Sequence, residues 1–169
     1  LLPWYEQNKR DLPWRRDREA YHVWLSEIML QQTRVEAVKG YYARFLAALP
    51  TVRALAECDD EVLHKLWEGL GYYSRVRNLK KAAQTVMERH GGVFPKAYEE
   101  VLALPGIGEY TAGAICSICY DMKIPAVDGN VLRLVYDGSR RTEGEDQQEY
   151  RLQEGGIYRN AEPLRWAIL

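Results

Sequence analysis

Apolar residues return every three or four positions along most of this chain. From Tyr21, the positions Val23, Trp24, Ile28, Leu30 and Val35 keep helical spacing, and Tyr41, Tyr42, Phe45 and Leu46 continue it until Pro50 closes the segment. Thr51 suits the N-cap of a short helix over Val52–Glu57, because its hydroxyl accepts from a first-turn N–H that has no helical partner. Asp59 or Asp60 caps another over 61–67, with Val62, Leu63 and Leu66 on one face and Gly69 and Gly71 ending it. Residues 73–89 read as a long amphipathic helix with Val76, Leu79, Ala83 and Val86 inward, stopped by Gly91 and Gly92. After Pro95 come a short helix over Tyr98–Leu102, a tight turn at Pro105-Gly106-Ile107-Gly108, and a further helix over Glu109–Tyr120. No alternating run of strand length, internal repeat or low-complexity tract is visible, so the pattern predicts an all-α domain of short helices. Beyond Val135 the pattern thins, leaving Ile157, Leu164, Trp166, Ile168 and Leu169 as scattered apolar anchors.

Composition narrows the class. The 169 residues suffice for one domain or two small lobes. With 47% hydrophobic and 28% charged residues the chain has the balance of a globular protein, which excludes a disordered one. No apolar run approaches the ~20 residues that span a membrane. No charged-then-apolar leader opens the sequence, so secretion is not expected. The chain opens on Leu rather than Met and is read as a fragment or a processed form. Three cysteines make no disulfide framework, and a reduced, cytosolic-type compartment is expected. The net charge of −1 does not by itself favour a nucleic-acid partner. Local clusters change that picture: Arg15, Arg16 and Arg18 near the start, and Arg75, Arg77, Lys80 and Lys81 in the middle. Each is either a solvated helix face or a phosphate-contacting surface.

The turn Leu104-Pro105-Gly106-Ile107-Gly108 is the first candidate for chemistry. Two glycines one residue apart allow a sharp reversal, and the first N–H groups of the following helix lack internal partners. Such N–H groups, aided by the helix dipole, can face a phosphate oxygen, and Thr111 can add a hydroxyl. That contact would carry no base information. The alternative is an ordinary corner between two helices.

With Tyr110-Thr111-Ala112-Gly113-Ala114-Ile115 following, this segment resembles the helix-hairpin-helix of base-excision DNA glycosylases. Other blocks narrow the resemblance. Residues 24–33, WLSEIMLQQT, are similar to the opening helix of adenine DNA glycosylases of the MutY type. Residues 69–75, GLGYYSR, resemble the second DNA-facing loop of that family, and 127–131, VDGNV, resemble the aspartate-bearing segment of the wider superfamily. The match runs in order over about residues 12–135.

The resemblance singles out Glu27 and Asp128 as the catalytic pair. Cleaving an N-glycosidic bond leaves a purine that needs a proton and a sugar with oxocarbenium character that needs negative charge nearby, two tasks for two carboxyls. Glu27 lies among Trp24, Ile28, Met29 and Leu30, a setting that should raise its pKa and suit a general acid acting on adenine N7. Asp128, beside Gly129 and Asn130, should stay ionised and stabilise the cation, with Asn130 placed to orient it. Tyr110 stands where bifunctional relatives such as endonuclease III carry a catalytic lysine. Tyrosine forms no Schiff base, so a monofunctional enzyme is implied.

An adenine inside a duplex must be flipped out to meet Glu27. The resemblance assigns Gln32 and Tyr72 to intercalating positions, and Trp14, Arg15 and Leu30 to the adenine pocket. Arg75, Arg77 and Lys80 are expected to steady the DNA backbone, with Gly106, Gly108 and Thr111 gripping phosphate. Cys116-x-x-Cys119 is read as packing rather than as a metal site, and Cys58, His22, His64 and His90 show no ligand spacing.

The family usually carries a [4Fe-4S] cluster on four C-terminal cysteines. No such set is present, so the chain is expected to stop before that loop and before an 8-oxoguanine-reading domain; the cluster is implied only if the native protein continues past Leu169. The expected architecture is a six-helix lobe over about 21–127, including the helix-hairpin-helix at about 99–120, with a second lobe from 1–20 plus 128–169 and the site in the cleft between. The expected partner is double-stranded DNA with a mismatched or damaged pair, bound by a monomer without any membrane. Bacterial-type cytoplasm, or nucleus or mitochondrion in a eukaryote, is the expected location. Three functions remain open: an adenine glycosylase acting opposite 8-oxoguanine or guanine, an endonuclease III-like glycosylase/lyase on oxidised pyrimidines, and an inactive DNA-binding fragment.

Overall fold

The computed structural model describes residues 11–127 together with Gly129 and Leu132. Among the described residues there is no strand. A 3-10 turn at Pro13–Arg15 leads to helices α1 (Ala20–Leu30), α2 (Val35–Ala48), α3 (Val52–Glu57), α4 (Asp60–Trp67), α5 (Ser74–His90), α6 (Tyr98–Leu102) and α7 (Glu109–Tyr120). The expected all-α architecture is observed.

Two helices form the centre. In α1 every residue from Ala20 to Met29 except His22 is buried, and in α7 every residue from Thr111 to Ser117 is buried. A helix that is hidden on all sides must be packed on all sides. Accordingly α1 touches α2, α5, α7 and the 3-10 turn, while α7 rests on α1 and α6. Small residues permit the close approach. A Cβ at Gly113 would collide with the carbonyl of Pro125, so glycine lets the 121–127 segment return tightly along α7, one turn from Tyr110.

The outer helices bury one face each. Helix α5 turns Val76, Leu79, Ala82, Ala83 and Val86 inward and packs on α3, its broadest partner, and on α4 and α1. Gly91 ends it in the left-handed conformation (φ 61°), and the N–H groups of Gly91 and Gly92 both bond the Val86 carbonyl. Thr51 caps α3 as expected, its Oγ1 accepting from the Ala54 N–H at 3.1 Å. Aromatic contacts tie the layers, with Trp24 against Phe94 at 5.3 Å and Phe45 edge-on to Trp67 at 6.0 Å.

Two features depart from the expected organisation. The apolar periodicity from Tyr21 to Leu46 runs unbroken in the sequence, yet the helix stops at Leu30 and restarts at Val35. The interruption places Gln32 at φ 56°. It brings the count in this region to seven helices rather than six. Leu12 and Trp14, expected in a second lobe, are buried in the same core as α1 and α2. The rest of that second lobe lies outside the described residues.

Candidate active site

Glu27 is the one carboxylic acid in the buried core of the described residues, 8% exposed on a helix otherwise hidden by apolar neighbours. Tyr110, the second residue of α7, hydrogen-bonds to it, and Arg15 from the 3-10 turn acts on it electrostatically. Both favour the carboxylate, but loss of hydration outweighs them and lifts the Glu27 pKa from its ordinary 4.5 to about 7. Near neutral pH the group is therefore divided between acid and anion, the condition that suits a proton donor.

Each part of this arrangement has a local cause. Glu27 lies one turn beyond Val23 and Trp24 on a helix packed on every side, so its side chain has nowhere wet to go. Tyr110 enters because α7, N-capped at Gly108 and starting at Glu109, packs against α1. Arg15 is fixed by its neighbour: Trp14 is 6% exposed and sits edge-to-face on Tyr42 at 5.3 Å. The Trp14 ring is thus a core anchor against α2, which narrows the stacking role expected of it. Leu30, the last residue of α1, is partly buried against the same core. Asp128 and Asn130 lie outside the described residues.

The structure keeps Gln32 and Tyr72 apart from this interior. Both are exposed, Tyr72 by 62%, and both adopt positive φ, 56° and 49°. Left-handed backbone is unfavourable for residues with a Cβ and persists only where surroundings enforce it. The Arg75 guanidinium lies between the two loops. Its Nη1 donates to the carbonyls of Ile28 (3.0 Å), Met29 (3.1 Å) and Gln31 (2.6 Å). Its Nη2 donates to the carbonyls of Leu70 (3.0 Å) and Gly71 (3.2 Å), and both nitrogens reach Thr33 Oγ1 at 3.4 Å. The guanidinium also lies 5.4 Å from the Trp67 ring centroid and 5.5 Å from that of Tyr72.

Arg75 was expected at the DNA backbone, yet only 9% of it is exposed and its terminal N–H groups are taken up internally. Sequence spacing gave no sign of this, because a basic residue after a Gly-Tyr-Tyr-Ser turn reads equally as a phosphate ligand. Arg77, two residues on, is exposed. Lys80 is paired with Asp60 Oδ1 at 2.6 Å, joining α5 to α4.

At the hairpin the two glycines do different things. Gly106 is left-handed (φ 78°), and a Cβ there would stand 2.7 Å from that of Asn78. Gly108 is extended and N-caps α7, and a Cβ there would meet nothing. No side chain hydrogen-bonds the α7 N-terminus as a cap. Thr111 is 4% exposed and turned into the core, so its hydroxyl is not presented there as expected. A cavity of about 190 Å³ lies behind the hairpin, lined by Trp24, Ile28, Gln31, Arg75, Asn78 and Gly106; Glu27 does not line it.

Cys58, Cys116 and Cys119 are free thiols, and burial pushes that of Cys119 up to about 12. An iron–sulfur cluster on Cys₄ ligation needs four thiolates. Three cysteines on separate turns of α7 and at the end of α3 do not fit it. Among the described residues no group of three or more His, Cys, Asp or Glu can hold a metal ion, and no helix is long and apolar enough to cross a membrane.

Residues 25–155 match the HhH-GPD superfamily of base excision DNA repair proteins. The adenine DNA glycosylase of Rattus norvegicus is 50% identical over 144 residues, covering 80% of this chain and 28% of that protein. The human enzyme of the same name is 49% identical over 144 residues, covering 80% and 26%. That of Buchnera aphidicola subsp. Acyrthosiphon pisum is 43% identical over 137 residues, covering 80% and 39%. The chain thus spans between about a quarter and two-fifths of these curated relatives. Among solved structures, a thermostable thymine-DNA glycosylase superposes with a TM-score of 0.78 at 27% identity, covering 91% of this chain and 73% of that one. Endonuclease III in a non-covalent DNA complex shares the fold, with a TM-score of 0.68 at 20% identity, covering 78% and 62%.

Proposed function

The chain belongs to the HhH-GPD superfamily of base excision DNA repair proteins, and on that premise we propose that it is the catalytic core of a monofunctional adenine DNA glycosylase. Its substrate is adenine paired with 8-oxoguanine or guanine, flipped out of the duplex. The observation that carries this reading is the buried Glu27 with its pKa near 7, hydrogen-bonded to Tyr110. Adenine DNA glycosylases from mammals and bacteria at 43–50% identity support the choice of base.

In this reading the Glu27 carboxyl gives its proton to N7 of the departing adenine. Protonation neutralises the leaving group as the C1′–N9 bond breaks and positive charge grows on the sugar. Asp128 supplies the compensating negative charge, oriented by Asn130, and water adds at C1′. Arg15 and Tyr110 hold the Glu27 carboxyl in place and stabilise the carboxylate left after transfer. The α7 N-terminus at Gly108 receives a DNA phosphate. Gln32 and Tyr72 enter the base stack, and Arg77 adds a backbone contact. An iron–sulfur cluster, where the complete protein has one, is held by cysteines other than the three in this chain.

Duplexes carrying adenine opposite 8-oxoguanine, guanine or thymine, and one carrying an oxidised pyrimidine, test the proposal with the complete gene product and with this chain alone. Adenine release from the first two, no strand nicking and no borohydride-trapped adduct are expected. Pyrimidine release with covalent trapping would overturn it in favour of a glycosylase/lyase. DNA binding without any base release by the complete protein would reduce it to a binding module.

A further inference from the structure

Two loops that are far apart in sequence each present one exposed side chain from left-handed backbone: Gln32 after α1 and Tyr72 before α5. Both loops close on one side chain. The carbonyls of Ile28, Met29 and Gln31 belong to the end of α1, where the last carbonyls of a helix have no internal partner. A cation there also meets the negative end of the helix dipole. The carbonyls of Leu70 and Gly71 belong to the second loop, and Thr33 Oγ1 is shared between the two nitrogens. The Tyr72 ring leans on the guanidinium face, and Trp67 Nε1 donates to the Gly71 carbonyl at 3.0 Å. No carboxylate pairs with this arginine among the described residues; carbonyl dipoles, one hydroxyl and two aromatic rings surround its charge.

We infer that Arg75 is a positioning residue that locks the two loops together, so that Gln32 and Tyr72 enter the base stack as one unit. The planar fork is what makes this possible. Its two terminal nitrogens diverge towards the two loops, a geometry that one ammonium point cannot reproduce. The cost of removing the cation from water favours keeping it only if both loops stay closed on it. An opening of either loop strands the guanidinium, so each loop stabilises the other. Free loops would have to be ordered separately on DNA, and the preference for a mismatch over a matched pair would fall. The role in DNA entry rests on the glycosylase reading, whereas the locking itself does not.

Arg75→Lys keeps the charge and loses the fork; Thr33→Val, gentler, removes one shared acceptor. Amide hydrogen exchange without DNA reads the lock directly. In Arg75→Lys, residues 31–33 and 70–73 should lose protection together, on the order of tenfold, while α5 and α7 keep theirs. Thr33→Val should loosen the same two segments to a smaller extent and serves if Arg75→Lys does not fold. Affinity for mismatched against matched duplex at one salt concentration reads the consequence. The mismatch preference should fall on the order of tenfold in Arg75→Lys, with matched-duplex affinity nearly unchanged. Protection unchanged in either loop would overturn the inference, as would loops that loosen while the mismatch preference stays intact. A parent protein without any mismatch preference would instead sink the glycosylase reading, whatever hydrogen exchange shows.

Discussion

Helix α1 brings two buried ionisable groups within a few residues of each other, and they are treated in opposite ways. Glu27 has partial support for its charge, one hydrogen bond from Tyr110 and the field of Arg15, and dehydration wins: the proton is held up to about pH 7. Arg75 is received by five backbone carbonyls and a hydroxyl and remains a cation, although burial draws its pKa down. The contrast shows what the interior does to a charge. Too few partners leave a group poised to exchange its proton, which is chemistry. Carbonyl and hydroxyl acceptors on both terminal nitrogens leave it fixed, although its buried Nε has no partner, and that is architecture.

The largest expected effect comes from removing the poised group. Glu27→Gln should slow single-turnover base release by about 10²–10⁴-fold, the usual worth of a general acid, with duplex affinity within a few-fold of the parent. A rate near the parent's would make Glu27 merely another buried group and dissolve the contrast.

The same group should be visible in stability. Its folded pKa, about 7, stands above the ordinary 4.5, so the native state binds the extra proton. The Glu27 contribution to stability therefore falls as pH rises from 4.5 to 7 and is level on either side. The difference is about 3 kcal/mol across that window. Glu27→Gln should flatten this part of the profile and exceed the parent in stability at pH 8. Denaturant unfolding at pH 5 and pH 8 checks both statements, and parallel profiles would contradict them.

At the exposed rim the effects are smaller. Tyr72→Ala removes a wedge and should weaken mismatch binding by about 1–3 kcal/mol while matched binding changes less. Gly108→Asp should weaken binding to both duplexes alike, again by about 1–3 kcal/mol, since it sets a carboxylate at the α7 N-terminus. A Cβ at Gly108 meets nothing, so the variant should fold normally, and circular dichroism verifies that. If Tyr72→Ala weakens both duplexes equally, its ring serves packing on Arg75 rather than entry into DNA. The smallest effect is a displacement. The Tyr110 hydroxyl favours the ionised form of Glu27, so Tyr110→Phe should move the alkaline limb of the base-release profile to higher pH.

Much of this was legible in the sequence. The spans Val52–Glu57, Tyr98–Leu102 and Glu109–Tyr120 coincide with those expected, because caps, prolines and glycines mark them chemically. An apolar setting for Glu27 could be read from its neighbours on one helix. The break at 31–34 could not, since Leu30 and Val35 keep helical spacing through it. At that break the Arg75 guanidinium, 44 residues on in sequence, binds the Gln31 carbonyl, and local periodicity carries no information about such a partner. Arg75 and Thr111 depart from their expected places for a related reason. Both residue types serve phosphate and carbonyl or core partners equally well, and only tertiary placement decides.

At the centre of this reading, the interior lifts Glu27 so far that about half of it still carries its proton at neutral pH. Carbon-13 labelling of glutamate side chains, with the Glu27 resonance assigned by its loss in Glu27→Gln, follows that one carboxyl through pH 3–9 by NMR. A midpoint near 7 is expected, with a further rise in Tyr110→Phe. A midpoint between about 4 and 5, the ordinary range of a glutamate, would contradict it.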